Sequence, residues 1–288
     1  MSPPEEPPRL PQRLRAEALD LVRGVAEALR WLGRRPTHVW LRLLVLLLVL
    51  GLWSWGAEVL PRGFFASPSE TLQAFGEMLH DYRNDYGRAL GDTLAVFLGG
   101  LALAALIGIP AGLLLGAVPL LGRSLNPYLN ALAAVPLIAL MPLAILWLGL
   151  GPGAKLAMVA LGAVMPILIN SYTGMRGTDP ALVEMARAHG VGSWRRLIRI
   201  ALPSALHPVM AGLRLGAATG LVTAVIADIY MSMTGLGALL ISYGNSFRMG
   251  PYLVVVLTLA GIGIGTTGLL ALAELLLTPR PARRRLFP

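Results

Sequence analysis

Cysteine is absent from the 288 residues, which excludes disulfides, thiolate metal ligands and thiol catalysis. Lysine occurs once, at Lys155, and the chain has no Gly-x4-Gly-Lys-Ser/Thr run, so ATP is not expected to bind to it. Charge is scarce as well: 14% of residues are charged against 56% hydrophobic, and a mean hydropathy of +0.68 is too apolar for an ordinary soluble domain. The four histidines, His38, His80, His189 and His207, fall in separate segments without metal-ligand spacing. Segments that alternate apolar and polar over about ten residues, the mark of a membrane β-barrel, are missing too. No cofactor, metal or catalytic residue is expected.

What the chain does have is long apolar runs. A hydrocarbon core of about 30 Å takes roughly 20 helical residues, and runs of that order occupy 41–60, 93–118, 127–150, 156–172, 205–230 and 252–277. Lipid offers no partner to backbone polar groups, so the expected fold is all-α with six transmembrane helices. Residues 39–278 form this membrane domain, 1–38 an N-terminal tail and amphipathic helix, and 279–288 a basic tail. The amphipathic helix is read from Leu14, Ala18, Leu21, Val25, Leu29 and Leu32 at helical spacing among basic residues. The Pro- and Glu-rich start lacks an apolar core behind its charges, so no cleaved signal peptide is expected and the first span stays as an anchor. Ser67-Pro68-Ser69-Glu70 reads as a helix start in the longest external segment. Turns are expected around Gly122-Arg123-Ser124 and at 149–153.

A net charge of +9 would suit nucleic acid, but its placement argues otherwise. Seventeen of the 24 basic residues fall on one side of a six-span topology and five on the other. The positive-inside rule then makes both termini cytoplasmic, and the basicity serves anionic membrane lipids rather than nucleic acid.

Within the most basic connection lies a polar stretch from Asp179 to Gly190. Asp179 is a good N-cap, Pro180 suits the first helical turn, and Gly190 can take the left-handed conformation that ends a helix. Leu182, Met185, Ala186 and His189 then share one face, with Glu184 to the side. Ser193 is expected to cap a second turn holding Trp194 and Leu197 that Pro203 ends. The series Glu184-x-Ala186-x3-Gly190-x9-Ile200-x-Leu202-Pro203 resembles the EAA loop of the membrane subunits of binding-protein-dependent ABC importers, departing from it at Met185, where Ala is usual. Further segments resemble the nitrate, sulfonate and taurine branch of these type I permeases: Ala134-Val135-Pro136, the run from Pro142 to Gly151, Gly212-Leu213-Arg214, and Thr234-Gly235-Leu236-Gly237. That branch commonly has Glu where this chain has Asp228 after Ala227.

The resemblance implies a non-catalytic permease of the bacterial inner membrane whose loop, 176–203, couples it to separate cytoplasmic ATP-binding subunits. It also implies an external solute-binding protein and a second permease subunit, usually an identical copy. The solute expected is a small anion such as a sulfonate, taurine or nitrate; the same class includes permeases for pyrimidine vitamin precursors. Candidates for the pathway are Pro136 and Pro142, which favour kinks in the third span, Asn170, Asp228 and Tyr230. Arg214 reads as a structural partner to a helix end or as a guide for an anion. A secondary transporter would show inverted repeats and charges along its midplane, and a membrane enzyme a converging acid, base or metal group; neither pattern is present.

Overall fold

In a computed structural model of the chain, residues 37–61, 63–81 and 85–278 are described, and every regular element among them is helical. The periodic segment from Leu14 to Leu32 and the basic C-terminal tail lie outside the described residues. The chain divides into two compact units, Met1–Leu60 and Pro61–Pro288. In the first, helix α1 (Thr37–Val59) exposes apolar side chains all round, Leu41 and Leu43 to Leu48 among them, as a helix solvated by lipid does.

The second unit opens with α2 (Pro68–His80), started by a reciprocal cap: Glu70 N donates to Ser67 Oγ at 3.2 Å and Ser67 N to Glu70 Oε2 at 2.8 Å. Then come α3 (Asp85–Ala117), α4 (Pro119–Ala133), α5 (Leu137–Leu148) and α6 (Pro152–Arg176). Helix α7 (Pro180–Ala188) and the single turn α8 (Ser193–Arg196) precede a π-helical turn, Leu197–Ala201, which runs directly into α9 (Leu202–Ala227). A second π turn, Asp228–Ser232, leads to α10 (Gly235–Asn245) and α11 (Met249–Leu277).

Among the described residues five helices are long and apolar enough to cross a membrane, and the α4–α5 pair makes a sixth only as a span bent by 89°. The expected third span is therefore a broken one. The break falls at 134–136, where Pro136 caps α5 in an extended conformation; Pro142 sits inside α5 without ending it. Gly122-Arg123-Ser124 is no turn either: the helix breaks at Val118, which is extended, and Gly122 is buried in α4, where a Cβ would meet Leu115 O at 2.5 Å. Nor does Pro203 end a helix. It stands in the first turn of α9, where its missing N–H is tolerated, and the π turn before it keeps Ser193–Met231 as one continuous rod of 39 residues.

Three long helices make the core: α3 packs on α6 and α6 on α9, through Phe97, Leu101 and Ala104, Val159, Ala163 and Ile167, and Ala217 and Ala224. Lipid chains are as apolar as leucine, so close packing rather than water exclusion must hold such helices together. Glycines spaced by four or eight residues provide it. Along α3, a Cβ at Gly100 would lie 2.5 Å from Val159, at Gly112 2.4 Å from Leu168 O and at Gly116 2.5 Å from Met175. Gly212 and Gly216 of α9 receive α6 in the same way.

Gly112→Ala therefore destabilises the bundle by about 1–3 kcal/mol through overpacking against backbone. Gly91→Ala, on the same helix with nothing within 4 Å, is neutral or slightly stabilising. Denaturant unfolding in mixed micelles compares the two; equal effects would refute the packing account.

Candidate functional site

Two regions at opposite ends of the bundle carry the polar chemistry. At the first, Asp228 is fully buried and Lys155 is 2% exposed. Lys155 Nζ donates to Asp228 Oδ1 at 2.6 Å and to Thr234 Oγ1 at 2.8 Å. Thr93 Oγ1 donates to Asp228 Oδ2 at 2.6 Å and accepts from Leu236 N at 2.8 Å. Four elements thus converge: α3 brings Thr93, the start of α6 Lys155, the end of α9 Asp228, and the lead into α10 Thr234 and Leu236. Gly235 is required by its φ of +81° and by the carboxylate, whose Oδ2 would lie 2.3 Å from a Cβ there. Every oxygen of the acid is directed at a protein donor, the condition under which a buried charge is tolerated.

At the other end, α7 is a self-contained helix. Asp179 Oδ1 accepts from Ala181 N at 2.8 Å, and the C-terminus closes with Gly190 N donating to Arg187 O at 2.9 Å and Val191 N to Ala186 O at 3.0 Å, Gly190 having φ +70°. The four residues that share a face in sequence divide in the fold. Ala186 is buried, while Leu182 and Met185 are exposed together with Glu184 and with His189, whose Nδ1 lies 2.8 Å from Met185 O. Trp194 adds an exposed ring beside them in sequence, and α8 begins at Gly192 rather than on a Ser193 cap. Large apolar side chains and a histidine thus stand exposed together on this short helix and the turn after it.

Between these ends a cavity of about 600 Å³ opens against α4, α5, α6 and α9. Leu132, Val135, Leu140, Met165, Asn170 and Leu215 are among its lining residues. No charged side chain lines it, and its polar groups are turned to backbone carbonyls: Asn170 Nδ2 donates to Pro166 O of its own helix at 2.8 Å and Thr219 Oγ1 to Gly162 O of α6 at 3.0 Å. Of the pathway candidates, Asn170 lines this cavity and Pro136 sits in the break at its rim. Pro142, Asp228 and Tyr230 are not in its lining, Asp228 being held in the ion pair and Tyr230 exposed. Arg214 is not in the lining either: its Nη1 donates to Glu274 Oε2 of α11 at 2.5 Å, with His207 Nδ1 2.5 Å from the other oxygen.

The cluster around Asp228 escaped the sequence reading because its members are far apart: 73 residues separate Lys155 from Asp228 and 135 separate Thr93 from it. One signal was available. A lone lysine at the start of an apolar helix requires a counter-charge, and Asp228 is the acid placed at the far end of the next span.

A family model described as binding-protein-dependent transport system inner membrane component matches residues 108–276. The chain is 29% identical over 272 residues to a Bacillus subtilis (strain 168) protein named "Putative aliphatic sulfonates transport permease protein SsuC", covering 91% of this chain and 95% of that one. It is 30% identical over 200 residues to the taurine transport system permease protein TauC of Escherichia coli (strain K12), covering 69% of each. Among solved structures, an inward-facing conformation of the MetNI methionine ABC transporter shares the fold at a TM-score of 0.61 and 19% identity, covering 69% of this chain and 99% of that one.

Removing one member of the buried pair strands the other, which costs about 3–5 kcal/mol. Lys155→Ala and Asp228→Ala each lose that much in micelle unfolding, and the double variant loses clearly less than the sum. Strict additivity would show that the two charges are not coupled.

Proposed function

The chain belongs to the binding-protein-dependent transport system inner membrane components, and from that membership we propose that it carries a sulfonate or taurine-like anion, driven through α7 by ATP-binding subunits. It is a multi-pass, non-catalytic permease subunit of an ABC importer, a family that implies ATP-binding and solute-binding partners. The finer reading adds two identical permeases around one pathway, both termini in the cytoplasm, residues 39–278 as the membrane domain, and the loop 176–203 as the cytoplasmic coupling segment. Leu182, Glu184, Met185 and His189 meet the ATPase, Ala186 anchors the helix inward, and Gly190 sets its angle.

The observation that carries this reading is the position of a rigid, doubly capped helix with an exposed apolar face at the foot of a 39-residue rod. Closure of an ATPase on that face displaces α7 and, through Val191 and Gly192, the start of the rod. At 1.5 Å per residue the rod reaches about 58 Å, so the displacement arrives at Asp228 and, through Lys155, at α6. A rocking bundle with two discrete packings follows from levers of this kind. The solute preference is supported by the relatives named for sulfonates and taurine. An uncharged cavity wall lets an anion pass without trapping it, which leaves recognition to the external binding protein.

Gly190 provides the test of coupling. No atom lies within 4 Å of a Cβ placed there, so a substitution acts through φ alone, at a cost of roughly 1–2 kcal/mol for an ordinary residue. Asn tolerates that conformation and a β-branched residue does not. With membrane levels unchanged, solute uptake falls in the order Gly190, Gly190→Asn, Gly190→Val; equal loss for both variants would mean that the side chain blocks docking and the angle is irrelevant. Supplied with its ATPase and binding protein, the reconstituted chain takes up taurine or an alkanesulfonate. Uptake of a neutral or vitamin-like solute alone would overturn the substrate assignment.

A further inference from the structure

A second cleft, of about 370 Å³, lies between the inner side of α7, the end of α6, the α3–α4 junction and the start of the rod. Three guanidinium groups line it, from Arg123, Arg176 and Arg196, and no acidic side chain does. Among the described residues none of the three is in an ion pair. Two are held in place: Arg176 Nη1 donates to Tyr172 Oη at 2.6 Å, and Arg196 donates to Val191 O at 2.6 Å and Ser193 Oγ at 3.0 Å. Arg123 is exposed. Gathered cations without a counter-charge call for an anion with several acceptor oxygens, and planar guanidinium forks suit phosphate oxygens best.

Apart from the hydroxyls of Thr178 and Ser193, the rest of the lining is apolar, with Ala117, Pro119, Met175, Val183, Leu197 and Ala201 beside the arginines. Around Arg123 on α4, Leu120, Leu121 and Leu125 are exposed, an apolar surface adjoining a basic head site. A soluble phosphate would leave that surface bare; an amphiphile covers both. We propose that the cleft binds the phosphate of an anionic phospholipid, with an acyl chain along α4, and so braces α7 from behind. Val183 and Arg196 place the bound headgroup against both α7 and the rod, on the side of α7 away from Leu182 and Met185. An ATPase and a lipid can therefore occupy the two faces together.

The test uses the full chain purified in neutral detergent, titrated with phosphatidylglycerol and read by native mass spectrometry, so it needs neither ATP nor transport and stands apart from the importer reading. Phosphatidylglycerol is retained and phosphatidylcholine is not. Arg123→Ala weakens retention about fivefold, on the order of one surface arginine's contribution, and Arg123→Ala with Arg176→Gln weakens it by more than roughly tenfold. Arg199→Ala, outside the cleft on the same segment, leaves retention unchanged. Arg123 is exposed, so its loss spares the fold, and Arg123→Glu gives a second reading of the same site. Equal sensitivity at Arg199 would reduce the effect to diffuse charge. Competition by glycerol phosphate at matched concentration would make it a soluble-anion site, and displacement by purified ATPase a socket for an acidic segment; each of these results overturns the proposal.

Discussion

The buried ion pair between Lys155 and Asp228 is the constraint from which the arrangement of the bundle follows. Neither charge survives alone in a low-dielectric interior, so the ends of α6 and α9 must meet wherever else those helices go. Thr93 then ties the acid to α3, and its acceptance of Leu236 N sets the start of α10. The pair offers little net stability over apolar packing, but it specifies one register among helices that could slide on glycine faces. Two carbons of side-chain length matter here: Asp228 is short enough to leave room for Gly235 and Gly237 to pass against it.

Beneath that end the glycine rows on α3 and α9 let three helix backbones approach closely, and packing there is discrete. A side chain such as Ile167, seated against Gly108, Gly212 and Gly216, cannot move by small steps without striking backbone. At the opposite end the ties are weaker and wetter. Glu274 joins α11 to α9 through Arg214 and a largely exposed His207, and α7 has few attachments beyond Ala186 and Val183. The molecule is most densely tied around the ion pair and most loosely at α7.

Local features were legible in the sequence because they are enforced locally. The caps at Ser67 and Asp179, the left-handed Gly190 and the long apolar runs each follow from a few neighbouring residues. The features that were not legible depend on distant chain. Hydrophobicity alone reads 127–150 as one span, whereas the 89° bend needs α6 to hold Met141 and Ala144 of α5 in place. Helical spacing put Ala186 with Leu182 and Met185, but in the fold the smallest of the three is buried while the other two are exposed. Pro203 looked like a stop because a π turn that absorbs it leaves no mark in composition.

The two π turns have a mechanical consequence. They sit at the two ends of α9, one between the α7–α8 segment and the span, the other beginning at the ion-paired Asp228 where the span ends. A π turn carries an extra residue and weaker hydrogen bonding than the α-helix around it, so a rod bounded by two of them yields first at its ends. Between them Gly212, Gly216 and Gly220 keep α9 seated on α6. Force entering at α8 is thus carried by a stiff, well-seated span, and the bending it requires is confined to one turn at the basic end and one beside the ion pair.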